Sequence, residues 1–150
     1  MLAEYVSTKT HVYEQIFDNI AKQIKSTIDG LSMPEEVKIR ALQLLKSNIR
    51  TISMTTPDVA AGTCIIVAVL SLQLKHQFQI HKIAKFLGVS SSSITSRTFK
   101  LLASRNIHLG YRIQDIALQI PSIYPALVGK TGITFIKEPS AALVMENPQE

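Results

Sequence analysis

Between Asp58 and Lys75 the chain carries no charge. Val59 to Leu74 is apolar or small apart from Thr63, Ser71 and Gln73, and ahead of it stand a cap candidate, Thr56, a first-turn proline, Pro57, and a first-turn acid, Asp58. The stretch predicts a helix. A helix apolar on every side has to be buried on every side, and Ala60, Ala61, Gly62 and Ala68 are small enough to let neighbouring helices approach closely. The expected fold is therefore all-α, a bundle built round this central rod. A membrane span is the rival reading, but it needs about 20 apolar residues, and Gln73, Lys75 and His76 cut the run short. Burial in a soluble core, with no membrane partner, is the expectation.

The flanking segments supply helices to pack round the rod. Val12, Ile16, Ile20, Ile24 and Ile28 recur at spacing four, widened by Phe17 and Ala21, so His11 to Asp29 reads as an amphipathic helix stopped by Gly30. Residues 1–10 are expected to be a flexible start. Ser32 is the cap candidate of a second helix, with Pro34, Glu35 and Glu36 in its first turn. Val37, Ala41, Leu44, Leu45, Asn48 and Ile52 form its inner side, and Lys38, Arg40, Lys46 and Arg50 its wet side. After the central helix, Phe78 to Leu87 reads as a fourth, closed by Gly88, and a fifth runs to about Ser104 with Ser91 or Ser92 as cap.

These five helices make one domain over residues 11–104. Residues 105–137 are expected to be an extension with one short helix, Arg112 to Ile120, ended by Pro121, and residues 138–150 a mobile tail. Gly132 to Lys137 reads as extended. Val128-Gly-Lys-Thr131 matches part of a phosphate-binding loop, but Tyr124 stands at the place of that motif's first glycine and no strand is expected before it, so a nucleotide site is rejected.

Charge is unevenly placed. The net charge is +5, yet from Val59 to Gln114 there is no acid, while Lys75, Lys82, Lys85, Arg97, Lys100, Arg105 and Arg112 all fall in that interval. The rest of the chain is slightly acidic. Such an asymmetry marks one face for a polyanion, although lysines also serve simply as a solvated surface.

The same interval has the spacing of a helix-turn-helix. Ile80, Ile83, Ala84 and Leu87 form the inner face of the first helix, Gly88 makes the turn, Val89 plugs the corner and Ile94 anchors the second helix. Ala84 has to be small where the helices cross, and Gly88 supplies a positive backbone angle. The place three after Ile94, where an apolar anchor is expected, holds Arg97. With this alignment the candidate DNA-binding residues are Lys82, Lys85, Ser91, Ser92, Ser93, Thr95, Ser96, Arg97, Lys100 and Arg105, with Arg97 as the candidate base reader. An ordinary helical hairpin is the alternative.

The order of five helices, the small-residue segment Val59-Ala-Ala-Gly-Thr-Cys-Ile-Ile-Val, and Ile83-Ala84 through Leu87-Gly88-Val89-Ser90 to Ile94-Thr-Ser-Arg97 resemble the cyclin-like repeat of transcription initiation factor IIB, the archaeal transcription factor B. The resemblance spans about His11 to Ser104. It implies a five-helix cyclin box ending in a helix-turn-helix, a role in transcription initiation or its regulation, double-stranded DNA as ligand, and the TATA-binding protein and RNA polymerase as partners. It also implies a nuclear location in a eukaryote, or a cytoplasmic, nucleoid-associated one in an archaeon. Three departures stand beside it: a single repeat without a zinc ribbon, Pro57 one residue closer to Ala60-Ala61-Gly62, and Thr95 where the family commonly has an arginine.

No catalytic constellation has usable spacing. Cys64, the single cysteine, falls in the central helix, the four histidines are scattered, and the serine run sits at a helix start where capping accounts for it. No enzyme activity, small-molecule substrate, metal or cofactor is expected. The alternative function is a cyclin-box module that binds a protein partner without touching DNA.

Overall fold

In the computed structural model the backbone is described over residues 2–110 and 112–129, and the side chains over 12–110 and 112–129. The helices are α1 (Leu2–Gly30), α2 (Glu35–Ser47), α3 (Ile49–Ile52), α4 (Pro57–Ser71), α5 (Ile80–Leu87), α6 (Ser91–Ser104), α7 (Ile113–Ile116) and α8 (Ile120–Val128). No strand occurs among the described residues. None of these helices is long and apolar enough to cross a membrane.

The uncharged run forms α4, and every residue from Val59 to Ser71 is buried. Thr56 caps it, its hydroxyl accepting from the Val59 amide at 3.4 Å. Helices α1, α2, α5, α6 and α8 all pack on α4. Small residues make this possible. A Cβ on Gly62 would lie 2.6 Å from Cδ1 of Ile94, so α6 seats Ile94 in the notch that glycine leaves.

Four helices close in the same way, with a left-handed residue after the last turn and the next amide reaching back to a carbonyl of that turn. Only after α5 is that residue a glycine, Gly88 at φ 74°, with Val89 N–H donating to Ala84 at 3.0 Å. After α1 it is Ser32 (φ 54°), after α4 Gln73 (φ 59°) and after α6 Asn106 (φ 60°). The corresponding bonds are Met33 to Ile28, Leu74 to Val69 and Ile107 to Leu102. Ser32 therefore ends α1 and does not cap α2, whose N-cap is Pro34 without a side-chain bond. Gly30 is the last residue of α1 and has another use: a Cβ there would collide with the ring of Phe86, so the glycine admits α5.

Three boundaries differ from expectation. The first helix begins at Leu2, not near His11. The predicted second helix breaks at Asn48, which closes α2 and opens α3. The C-terminal segment is part of the bundle, since Ile116, Ala117, Ile120, Tyr124 and Leu127 are buried in the same core as α4. Pro121 opens α8 instead of ending a helix, where its missing N–H costs nothing. The readings of Gly132 to Lys137 as extended and of residues 138–150 as a tail lie outside the described residues.

Arg105 fastens the added segment. Its Nε donates to Asn48 Oδ1 at 3.0 Å, its Nη1 to the Ala126 carbonyl at 2.9 Å, and its Nη2 to Asn48 Oδ1 at 2.7 Å, Leu127 at 2.9 Å and Ser47 at 3.3 Å. Buried Asn48 completes the seam, donating to the carbonyls of Leu44 and Leu127 at 2.9 Å each. A cation thus sits where the carbonyl ends of α2 and α8 converge, the favoured place for positive charge on a helix. Farther back along α2, Arg40, read as solvent-facing, lies over the Tyr124 ring of α8 at 4.8 Å and donates to Ser71 Oγ at 3.0 Å.

Candidate nucleic-acid interface

The corner between α5 and α6 is built from the residues that the spacing marked. Ile83, Ala84 and Leu87 of α5 are buried, as are Ile94, Leu101 and Leu102 of α6, and Val89 packs against the core at the corner. The cap of α6 is Ser90, one residue earlier than expected. Its Oγ accepts from the Ser93 amide at 3.1 Å and lies 2.7 Å from the Ser93 hydroxyl. Two of the four serines are thereby accounted for by the helix start itself.

Inward and outward faces of α6 follow from the helical period. Ile94, Thr98, Leu101 and Leu102 turn in, with the Thr98 hydroxyl returned to the Ile94 carbonyl at 2.8 Å. Opposite them, Ser92, Ser96 and Lys100 are exposed, each about 40° round the axis from the last, and form one drifting stripe with exposed Ser93 beside it. Ser91 and Thr95 are half-buried. On α5, Lys82 and Lys85 share the outer face and are exposed. None of these three lysines is ion-paired among the described residues.

The two arginines behave differently. Arg97 is half-buried and turns sideways to the α3–α4 turn, its Nη2 donating to the Met54 carbonyl at 3.0 Å and its Nη1 to Thr51 at 3.4 Å. The motif's missing apolar anchor is explained here, because this slot faces backbone carbonyls and not the core. Arg105 leaves the candidate set. All three of its guanidinium nitrogens are engaged at the seam of α2 and α8, and burial lowers its pKa from the ordinary arginine value.

Cys64 is fully buried, and burial pushes its thiol far up, so the thiolate needed for nucleophilic or metal chemistry is suppressed. No group of three or more His, Cys, Asp or Glu side chains is placed to hold a metal ion among the described residues. His76, His81 and His108 are exposed; the His11 side chain lies outside the described ones.

Of the ten predicted site residues, the fold puts Ser92, Ser93, Ser96 and Lys100 outward on α6 and Lys82 and Lys85 outward on α5. It leaves Ser91 and Thr95 half-covered, ties Arg97 to the α3–α4 turn, and takes Arg105 into the core seam. The structural tasks of Ser90, Asn48 and Arg105 were missed by sequence reasoning. Only Asn106, a residue tolerant of the left-handed region, gave a local hint that α6 stops there. No family model, curated protein or solved structure matches this chain.

Proposed function

We propose that the chain is a DNA-binding module of the transcription machinery that grips duplex DNA with the outer faces of α5 and α6. The observation that carries this reading is a glycine-cornered helix pair whose outward side chains are lysines and hydroxyls, within a stretch that holds no acid from Val59 to Gln114. Lys82, Lys85 and Lys100 are free to meet phosphates, and Ser92, Ser93 and Ser96 can donate to phosphate or base edges without demanding a sequence. Binding of this kind is strong only through charge and carries little address of its own. The resemblance to the repeat of transcription initiation factor IIB supplies the rest: the address comes from a protein partner such as the TATA-binding protein, with RNA polymerase recruited through the bundle.

A protein-interaction module that never touches DNA is the second reading. It gains from one observation, that Arg97 and Arg105 are turned to internal carbonyls, which shortens the list of cations available to a phosphate backbone. An anisotropy titration of mixed-sequence duplex across salt concentrations separates the two. Three phosphate contacts give a log–log slope of roughly −3, at about −0.9 each. Absent binding, or binding indifferent to salt, rejects the DNA reading and leaves the protein-interaction module.

A further inference from the structure

We infer that Arg97 is a positioning residue, which locks the recognition helix α6 onto the α3–α4 turn, and that contact with DNA passes to the Ser92, Ser96 and Lys100 stripe. The inference rests on the DNA reading above and changes which side chains carry it. Arg97 follows Ser96 directly, so it lies about 100° round the helix from that stripe's centre line, on the flank that faces α3. There its guanidinium meets the carbonyls of Met54 at 3.0 Å and Thr51 at 3.4 Å.

The place is mechanically important. Thr51 lies in the last turn of α3, Met54 in the turn that follows, and Thr56 then caps the central helix. Three residues before Arg97, Ile94 is fully buried against Gly62 of that same helix. One turn of α6 is thus held twice, by an apolar peg in the α4 notch and by a charged fork on the loop leading into α4. An arginine suits this because its planar fork reaches two carbonyls at once, which a lysine's single ammonium matches poorly. If Arg97 left those carbonyls to reach a base, it would release the turn that aims the helix.

The test compares Arg97→Ala, Arg97→Gln and Lys100→Ala in the full chain, reading amide hydrogen exchange and the salt dependence of mixed-duplex binding. Arg97→Ala should speed exchange at the Ser53 and Met54 amides and weaken DNA binding while leaving the salt slope at its wild-type value. Arg97→Gln, uncharged but still able to donate to a carbonyl, should recover part of the protection. Lys100→Ala should leave exchange unchanged and make the slope shallower by about 0.9. The inference is overturned if both Arg97 variants lose about 0.9 of slope with exchange at wild-type rates, because Arg97 is then a phosphate contact. It is equally overturned if Arg97→Ala changes neither exchange nor binding. Should the wild-type chain not bind duplex at all, the DNA reading fails separately, and exchange at Ser53 and Met54 still decides whether Arg97 holds the turn.

Discussion

The residue that closes α6 and the outward face that α6 shares with α5 are both basic, yet the basic groups do opposite things. Arg105, just past the last turn of α6, donates to Asn48 and to the carbonyls of Ser47, Ala126 and Leu127. On the outward face Lys100 of α6 and Lys82 and Lys85 of α5 are exposed and unpaired among the described residues. The division follows chemistry. A guanidinium is weakly hydrated and offers a rigid fork of donors, so it can be drawn into a seam of carbonyls, whereas a lysine ammonium is strongly hydrated and stays in water. Arg112 is not part of this seam; it stays at the surface and pairs with Asp115 at 3.2 Å, as Lys38 does with Glu35 at 3.2 Å. Counting cations along a sequence therefore overstates the surface available to DNA, and in this chain the lysines are the better guide to it.

The largest loss is expected at Arg105. Arg105→Ala leaves buried Asn48 Oδ1 without its donor, although the Leu127 carbonyl keeps the Asn48 amide, and an unsatisfied buried acceptor costs about 1–3 kcal/mol. With the seam of α2 and α8 losing its fastening, a loss of about 2 kcal/mol is expected in a urea melt, together with faster amide exchange across α8. The salt slope of DNA binding should not move. A stable Arg105→Ala variant with a shallower slope would place this arginine at the interface after all.

Next in size is the notch under α6. Gly62→Ala puts a Cβ within 2.6 Å of Ile94 Cδ1 and 2.9 Å of its Cγ1, in a crossing with little room to relax. Overpacking of this kind costs about 1–3 kcal/mol, partly offset by about 1 kcal/mol of helix propensity. Ile94→Val removes Cδ1, so the double variant should recover part of the loss, and strictly additive melts would mean that the two residues do not meet. Ala61→Leu in the same buried helix should be costly for the same reason.

The outer lysines should behave in the opposite way. Lys82→Ala, Lys85→Ala and Lys100→Ala should each leave the melting temperature within the error of the melt, since surface substitutions usually stay within about 0.5 kcal/mol. Each should make the salt slope shallower by about 0.9.

The smallest effect belongs to Tyr124. Desolvation pushes its hydroxyl up to about 12, with Arg40 opposing the shift, and its O–H is shared between Gln43 Oε1 at 2.8 Å and the Arg40 carbonyl at 3.2 Å. The native state holds this proton more tightly than the unfolded chain, whose tyrosine titrates near about 10. Stability from this group is complete below pH about 10 and is lost as the pH rises toward 12. Tyr124→Phe should flatten that alkaline decline relative to the parent, and parallel curves would dismiss the linkage.

What was legible in the sequence is what depends on local pattern. The charge-free run predicted a helix buried all round, and the spacing from Ile80 to Ile94 predicted the apolar anchors of α5 and α6, because burial imposes its period directly on the residues. What stayed hidden depends on partners far away in the chain. Nothing near Arg105 announces that its acceptors lie on Asn48 and Leu127, and nothing near Gly30 announces Phe86. Ser32 illustrates a third cause: a serine just before Pro34 looks like an N-cap, but the left-handed closure of α1 takes it first.

In the proposed account the lysines on the outer faces of α5 and α6 hold duplex DNA, while Arg97 and Arg105 hold the protein together. The direct measurement is the salt dependence of mixed-duplex binding for the wild-type chain and for the combined Lys82→Ala, Lys85→Ala, Lys100→Ala variant, with a melt of each. The account predicts a wild-type slope of roughly −3 that collapses toward zero in the variant while the melting temperature stays put. A variant that melts normally and keeps the wild-type slope would contradict it, as would a wild-type chain whose binding ignores salt.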